Sequence, residues 1–333
     1  MSEMDTPSII LVGGGRFGSN HLRVWKELEN DGFCRLSGVV DPRLDVLEKV
    51  QKTFNVKVSK DLADFPLNDV DAVDIVTPTD THFKLGAECL CAGKHVLIEK
   101  PLTANSADAE ALVRMSKEQK KILMVGHIFR YNQAVNKIKQ YIESGDLGKV
   151  YYMFGHFMGI KDPRNDVGAL YNYAVHHVDA SNYLLNDFPD EVTCNTGYFL
   201  GRSEFEDVAF LTLKYPSGIL THVEGSWLPP GKSRDMTVVG SKKSVASDLL
   251  AQTLTLYGNH MEVRDGQFRA VDQEGVGIQL GFEEPLKLEL LDFVKSISTG
   301  RQPNASGQSG LDVVRVMDAA LRSARLGRTV SVN

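Results

Sequence analysis

Gly13-Gly14-Gly15-Arg16-Phe17-Gly18 lies between a run of apolar residues and an amphipathic stretch, and the next apolar run ends Val39-Val40-Asp41. Such a loop combines a tight turn at Gly13, an unobstructed backbone at Gly15 and a helix N-terminus whose amides face a diphosphate. An acid about 20 residues on accepts hydrogen bonds from ribose hydroxyls. Strand, glycine turn, helix, strand and acid in that order predict a dinucleotide site lined by Gly13, Gly15, Arg16, Phe17, Gly18 and Asp41. A carboxylate repels a 2′-phosphate, so NAD is expected over NADP, with Arg43 the one nearby group able to answer a phosphate.

Two further groups of residues carry chemistry. Val76-Thr77-Pro78-Thr79-Asp80-Thr81-His82 and Glu99-Lys100-Pro101 each follow an apolar run. Taken alone, Glu-Lys-Pro is an ordinary exposed turn. At the carboxyl edge of a doubly wound sheet, where ligands bind, it would set Lys100 beside a nicotinamide. In Asn172-Tyr173-Ala174-Val175-His176-His177-Val178-Asp179, the i, i+4 spacing of Asn172 and His176 puts both on one helix face, with Asp179 at i+3 from His176. An imidazole with a reference pKa of about 6.5 can take the proton of an alcohol while hydride leaves the carbon. An isolated His-His pair usually has one packed and one solvated member. His176 is read as functional because of Lys100, and His177 as structural.

The elements that must position these groups are legible as patterns. Ser8–Val12, Cys34–Val40, Ala72–Val76, His95–Ile98 and Ile122–Val125 are short apolar runs suited to buried parallel strands. Phe17–Asn30, Pro42–Phe54, Thr81–Ala92 and Ser106–Glu118 between them are amphipathic. This predicts a doubly wound α/β domain over residues 1–126. From residue 127 to 333 the pattern becomes successive strand-like runs, Lys149–Phe157, Glu191–Phe199, Val208–Tyr215, Ile219–Trp227 and Asp235–Val239, with a helical stretch at Leu170–Leu185. A second, α+β domain with a large, mainly antiparallel sheet follows from that order. Pro285–Ser298 and Leu311–Leu326 have helical spacing, and the latter is placed to pack back on the first domain.

Composition limits the functions available. The 333 residues suffice for two domains, and 42% hydrophobic with 24% charged residues is the balance of a folded globular protein. Net charge is −6 without a dense Lys/Arg block, which argues against nucleic acid and anionic membrane as partners. Met1 to Ser8 carries Glu3 and Asp5 without the apolar stretch of a secretory leader, and no run of about 18 apolar residues occurs, so a cytoplasmic protein is expected. Four scattered cysteines suit structural thiols. Asn172 and Asp179 are poor zinc ligands, and no metal is expected.

These residues together resemble the glucose-fructose oxidoreductase/inositol dehydrogenase (Gfo/Idh/MocA) family. The resemblance is carried by the Gly13–Gly18 loop, Thr77-Pro78 to His82, Glu99-Lys100-Pro101, Gly126-His127-Ile128-Phe129-Arg130-Tyr131-Asn132, and His176 with Asp179. It implies an NAD-dependent oxidoreductase in which Thr77, Pro78, Thr79, His82, Glu99 and Lys100 border the cofactor and Pro101 is often cis. Lys100 and His176 would then be catalytic, meeting on one alcohol from the two domains. The family's cluster has Asp where this chain has Asn172, which cannot take a proton and is left to hold substrate or imidazole. The stretch from Gly126 to Asn132 is similar to the branch containing UDP-N-acetylglucosamine 3-dehydrogenases, which implies that Arg130 and Asn132 approach a sugar or nucleotide-sugar substrate. Lys161 and Arg164 would then be diphosphate candidates or plain solvated residues, and Tyr171, Tyr173 and Trp227 core rather than sugar-stacking rings. Oxidation of free inositol or hexoses, reduction of other carbonyls, and a non-catalytic dinucleotide-binding regulator are the alternatives. A homodimer or homotetramer closed over the open sheet face is the expected assembly.

Overall fold

The computed structural model describes residues 6–201 and 204–332. Residues 1–5, part of the stretch read for a leader, lie outside the described residues. The chain forms two compact units, 6–128 with 284–314, and 129–283 with 315–332. A boundary at 126/127 cuts the chain into consecutive pieces, whereas the first unit also takes in residues 284–314.

In the first unit, β1 (Ser8–Val12), β2 (Arg35–Val40), β3 (Val58–Ser59), β4 (Ala72–Ile75), β5 (His95–Glu99) and β6 (Leu123–Gly126) form a parallel sheet in the order β3-β2-β1-β4-β5-β6. The strand order reverses about β1, which places the crevice for a ligand at the carboxyl ends of β1 and β4. Crossovers are α1 (Gly18–Asn30), α2 (Leu44–Phe54), α3 (Thr79–Cys91) and α4 (Ser106–Glu118). Helices on both faces explain why the strands read as apolar runs rather than alternating ones. Ile9, Ile10 and Leu11 are fully buried, each such side chain contributing about 1.5–3 kcal/mol. Asp74, equally buried in the middle of β4, breaks the run. The Asn105 side chain caps α4 by accepting from Asp108 N at 2.9 Å, and Gly93 ends the segment after α3 at φ +71°.

Two helices from the far end of the chain complete this unit. Lys287 of α7 (Pro285–Thr299) donates to Asp31 at 2.9 Å, and Arg23 pairs with Glu284 just before it. α8 (Gly307–Leu326) begins here, its Leu311 and Val314 joining the apolar cluster of Val125 and Leu102.

The second unit opens with α5 (Gln133–Glu143), β7 (Val150–Gly159) and α6 (Val175–Leu185), followed by β8 (Glu191–Gly197), β9 (Val208–Lys214), β10 (Leu220–Ser226), β11 (Lys232–Gly240), β12 (Ser244–Asp248), β13 (Thr253–Tyr257), β14 (His260–Arg264), β15 (Gln267–Val271) and β16 (Val276–Ile278). With β17 (Val330–Ser331), nine of these strands form one sheet, β16-β13-β12-β11-β7-β10-β9-β8-β17, in which only the β7–β10 pair is parallel. β14 and β15 form a separate hairpin. The sheet is mainly antiparallel, as expected. α5 and β12 to β16 are additional to the predicted elements. The hairpin strands are solvent-facing on both sides, so they lack the alternation by which a half-buried strand is recognised. The later turns of α8 belong to this unit, where Asp318 accepts from Tyr171 at 2.7 Å. Among the described residues, no helix is long and apolar enough to cross a membrane.

Two polar residues anchor the start of this unit. The Asn132 side chain caps α5, accepting from Ala134 N at 3.0 Å and Val135 N at 3.3 Å while donating to Leu249 O at 2.8 Å. Arg130, 7% exposed, grips Asp179, 1% exposed, with Nε at 2.9 Å and Nη2 at 2.7 Å from Oδ1. Removing one partner of a buried pair strands the other charge, a cost of about 3–5 kcal/mol. Asp179→Ala is therefore expected to lower unfolding stability by about that much, and the apolar double replacement Arg130→Met with Asp179→Leu to recover most of it. A denaturant titration of the three proteins reads this, and an unchanged midpoint in Asp179→Ala would dismiss the brace.

Candidate functional site

Three of the four glycines of the first loop differ in what surrounds them. Gly13, at φ +102°, has no room for a side chain, since a Cβ there would lie 2.3 Å from Val76 O. At Gly18 it would lie 1.8 Å from Gly13 O, so the close approach of α1 to β1 requires glycine. At Gly15 it would meet only the mobile end of Arg43, at 3.1 Å. Packing against the protein's own backbone therefore does not account for Gly15. α1 begins without a capping side chain or an acidic residue in its first turn, and its Ser19, Asn20 and His21 amides donate to Gly15 O and Phe17 O. Arg16 and Phe17 are solvent-facing on this loop.

Asp41 is buried beneath it. Its carboxylate accepts from Gly14 N at 2.9 Å and from Arg43 N, Nε and Nη2 at 2.9–3.0 Å. Burial opposes its charge, but the hydrogen bonds from Arg43 and Gly14 together hold it below the usual carboxylate range. Ionised Asp41 beside the glycine turn fits a ribose diol, and Arg43, folded onto it, is the group that a bound ribose would meet first. These residues fit a dinucleotide.

At the ends of β4 and β5, His82 ties two turns together. Its Nδ1 lies 2.9 Å from Pro101 O and its Nε2 3.0 Å from Thr77 O. Thr77 and Thr81 share a hydrogen bond of 2.6 Å, Pro78 precedes the first turn of α3, Thr79 is buried within that turn, and the Lys100–Pro101 peptide is cis. Beside them runs a buried chain of charges that the sequence reading passed over. Trp25 Nε1 donates to Asp74 at 2.7 Å, and His21 Nδ1 lies 2.8 Å from the same oxygen. His21 Nε2 is 3.3 Å from Glu99 Oε1, and Glu99 Oε2 accepts from Lys100 N at 3.1 Å. Burial works against charge on His21, but Asp74 and Glu99 outweigh it and push the imidazole up to about 10. Glu99 is held below its ordinary value, burial being outweighed by His21 and then Lys100. Gly126 makes the room, since a Cβ there would lie 2.5 Å from Glu99 Oε1. The signal was present: a histidine three residues after Gly18, and an aspartate within an apolar run.

In the second unit, residues 170–174 form a π-helical turn that leads into α6. Asn172 lies in that turn and His176 in α6, so regular i, i+4 spacing does not describe them. A wide turn of this kind is frequent at functional sites. Within 167–181 every residue is buried except His176. Its ring meets Phe129 edge-on at 5.0 Å and stacks with Phe157 at 5.9 Å. His177 is fully buried, and burial drives it down to about 3, consistent with a structural role. Asp179 serves Arg130 rather than lying open beneath His176, and Asn132 is spent on its helix cap. Arg164 pairs with Asp166, 2.7 Å from Nε to Oδ1. Tyr171, Tyr173 and Trp227 are core residues, at most 5% exposed.

A doubly wound sheet with this glycine turn and buried acid, joined to a unit with a large, mainly antiparallel sheet, defines a dinucleotide-dependent oxidoreductase. Residues 8–127 match the GFO_IDH_MocA model, described as an oxidoreductase family with an NAD-binding Rossmann fold, and residues 139–332 match the C-terminal alpha/beta domain of the same family. The chain belongs to this family, is an oxidoreductase, and uses NAD. It is 26% identical to the myo-inositol 2-dehydrogenase of Thermotoga maritima over 97% of each chain. It is 27% identical to the UDP-N-acetylglucosamine 3-dehydrogenase of Acidithiobacillus ferrooxidans over 92% of this chain and 95% of that one. The solved structure of the latter superimposes with a TM-score of 0.79 at 25% identity, covering 96% of each chain. A levoglucosan dehydrogenase solved with NADH and levoglucosan shares the fold, with a TM-score of 0.84 over 98% of this chain and 99% of that one.

His21 makes the buried chain of charges testable. A histidine raised in the folded state contributes stability that is complete below its unfolded pKa of 6.5 and lost as pH rises through about 10. The melting-temperature gap between the parent protein and His21→Asn is therefore expected to be widest at or below about pH 6.5 and to narrow toward pH 10. A gap constant across that interval would show that His21 is uncharged in the fold.

Proposed function

We propose that this protein is an NAD-dependent dehydrogenase that moves hydride between a secondary alcohol of a sugar or sugar derivative and the nicotinamide, with Lys100 and His176 handling the proton. NAD, when bound, supplies the hydride acceptor at its nicotinamide ring. The observation that carries the reading is His176, the one side chain left partly accessible in an otherwise buried helical segment and framed by two aromatic rings.

The roles follow from the chemistry of each group. Gly15 and the first turn of α1 hold the diphosphate, and Asp41 the adenosine ribose. The Lys100 ammonium, its backbone pinned through Glu99, lowers the cost of an alkoxide developing on the substrate. His176 accepts the hydroxyl proton during oxidation and returns it during reduction. Asn172 donates a hydrogen bond to substrate or imidazole and cannot compete for the proton.

Relatives acting on inositol and on a UDP-sugar support a polyhydroxylated substrate. The nucleotide-sugar version of the reading draws on the resemblance of the Gly126–Val135 stretch, which carries Arg130 and Asn132, and on Lys161 and Arg164 as diphosphate candidates. Arg130 and Asn132 are occupied by Asp179 and the α5 cap, Arg164 by Asp166, and Lys161 lies over the Tyr173 ring, so that version rests on the relatives alone. The outward face of β7, β9 and β10 exposes Tyr152, Phe210 and Leu220, which supports a homodimer or homotetramer, and sedimentation of a monomer at micromolar concentration would refute it.

Lys100→Ala is expected to lower turnover about 100- to 10,000-fold, the range of a lost acid–base or charge-stabilising group, while the dissociation constant of NADH moves less than about threefold. NADH formation over a panel of polyols, hexoses and UDP-sugars, with NADH fluorescence titration, measures both. Undiminished turnover in Lys100→Ala would remove the lysine from the mechanism, and NADH binding without turnover of any panel member would favour a regulator.

A further inference from the structure

Among the described residues of the second unit, two arginines are at least nine-tenths buried, and they are treated differently. Arg130 is neutralised by the bidentate carboxylate of Asp179. Arg234, 9% exposed in β11, has no carboxylate partner among the described residues. Its Nη1 donates to two backbone carbonyls, Met158 O at 2.6 Å and Ser233 O at 2.5 Å. Its Cζ lies 4.5 Å from the centre of the Tyr173 ring and 5.8 Å from that of Phe157. The nearest acid in sequence, Asp235, is turned to Ser233 and His156. Lys161 Nζ is also held against the Tyr173 ring, 5.4 Å from its centre.

A buried guanidinium without a counter-ion is costly, and carbonyls with ring faces only partly offset that cost. Burial lowers its affinity for the proton, with Tyr173 opposing. Such a cation is kept where an anion completes it. The position of Arg234 indicates which anion. It stands opposite Phe157 in the β11–β7 register, and Phe157 is the ring stacked on His176. The two spans from Phe157, 5.8 Å to the guanidinium and 5.9 Å to the imidazole, limit their separation to a distance comparable with the length of a substituted hexose. Nη1 is spent on carbonyls and the side chain also hydrogen-bonds Tyr173, but a guanidinium has five N–H donors, and those beyond these contacts can grip an oxyanion.

We propose that Arg234 recognises an oxyanion on the substrate, so that the alcohol oxidised is an acidic sugar derivative carrying a carboxylate or a phosphate. This rests on His176 being the proton-handling group, and it adds a substrate class to that reading.

The test compares matched substrates on the wild-type protein with NAD: glucose against glucuronate, glucose against glucose 6-phosphate, and N-acetylglucosamine against its UDP ester. The anionic member of at least one pair is expected to have a kcat/KM about 100-fold above its neutral counterpart, the scale of a buried charge contact. Which pair shows it separates carboxylate from phosphate. In Arg234→Gln that advantage is expected to vanish, chiefly through KM, with the neutral member changed less than about threefold, and Arg234→Lys should retain part of it. Equal use of neutral and anionic members by the wild type, or an equal loss on both in Arg234→Gln, would make Arg234 a structural staple and overturn the proposal. Calorimetric titration with tartrate, glucuronate and glucose 6-phosphate is read independently of turnover. Anion binding that Arg234→Gln abolishes, in a protein that oxidises nothing on the panel, keeps the anion site and sinks the dehydrogenase reading, whereas no anion binding sinks the anion site.

Discussion

The geometry of the first unit depends on how it disposes of charge inside a sheet that has no room for water. Asp74 sits at the centre of β4 with no exposure, a position that normally belongs to valine or isoleucine. It is tolerable because α1 delivers Trp25 and His21 to one of its oxygens, and because His21 reaches on toward Glu99 at the end of β5. One buried imidazolium between two carboxylates is cheaper than either carboxylate alone. The consequence is mechanical as well as electrostatic. Helix α1, strand β4 and the turn at Lys100 are joined by directional contacts, so the lysine backbone is held by the same helix that follows the glycine turn.

Glycine divides its labour along the same edge. Gly13 and Gly18 are demanded by the protein's own backbone and Gly126 by the Glu99 carboxylate, whereas Gly15 is not demanded by anything in the fold. A residue whose smallness the packing leaves unexplained is the more informative about a ligand. Charge is handled in two ways in the second unit: Arg130 is neutralised by Asp179, whereas Arg234 is held by backbone carbonyls and ring faces.

In the second unit, secondary structure is bent toward one histidine. A π-helical turn ahead of α6 shifts the phase of the helix, leaving His176 partly accessible while its neighbours on both sides are buried. The polar residues around it are mostly spoken for. Asp179 holds Arg130, Asn132 caps α5, and Tyr171 reaches Asp318. Each of these looked equally available as a linear string, because spacing tells which residues can share a face and not which partner arrives from elsewhere.

What the amino-acid order alone determined is the part governed by local rules. The apolar runs and amphipathic stretches located five of the six parallel strands and their four crossovers within a residue or two, missing only the two-residue β3, and the glycine turn after β1 pointed to an NAD-binding Rossmann fold, because periodicity and glycine's freedom at positive φ act over a few residues. Tertiary structure alone decided the rest. It brought residues 284–314 into the first unit, joined His21, Asp74 and Glu99 across 78 positions of sequence, took Arg130 and Asn132 for internal supports, and left Arg234 without a carboxylate. Pairing of buried charges is a long-range matter: a carboxylate or guanidinium is settled by whichever partner the fold brings within about 3 Å, and sequence distance carries no information about that.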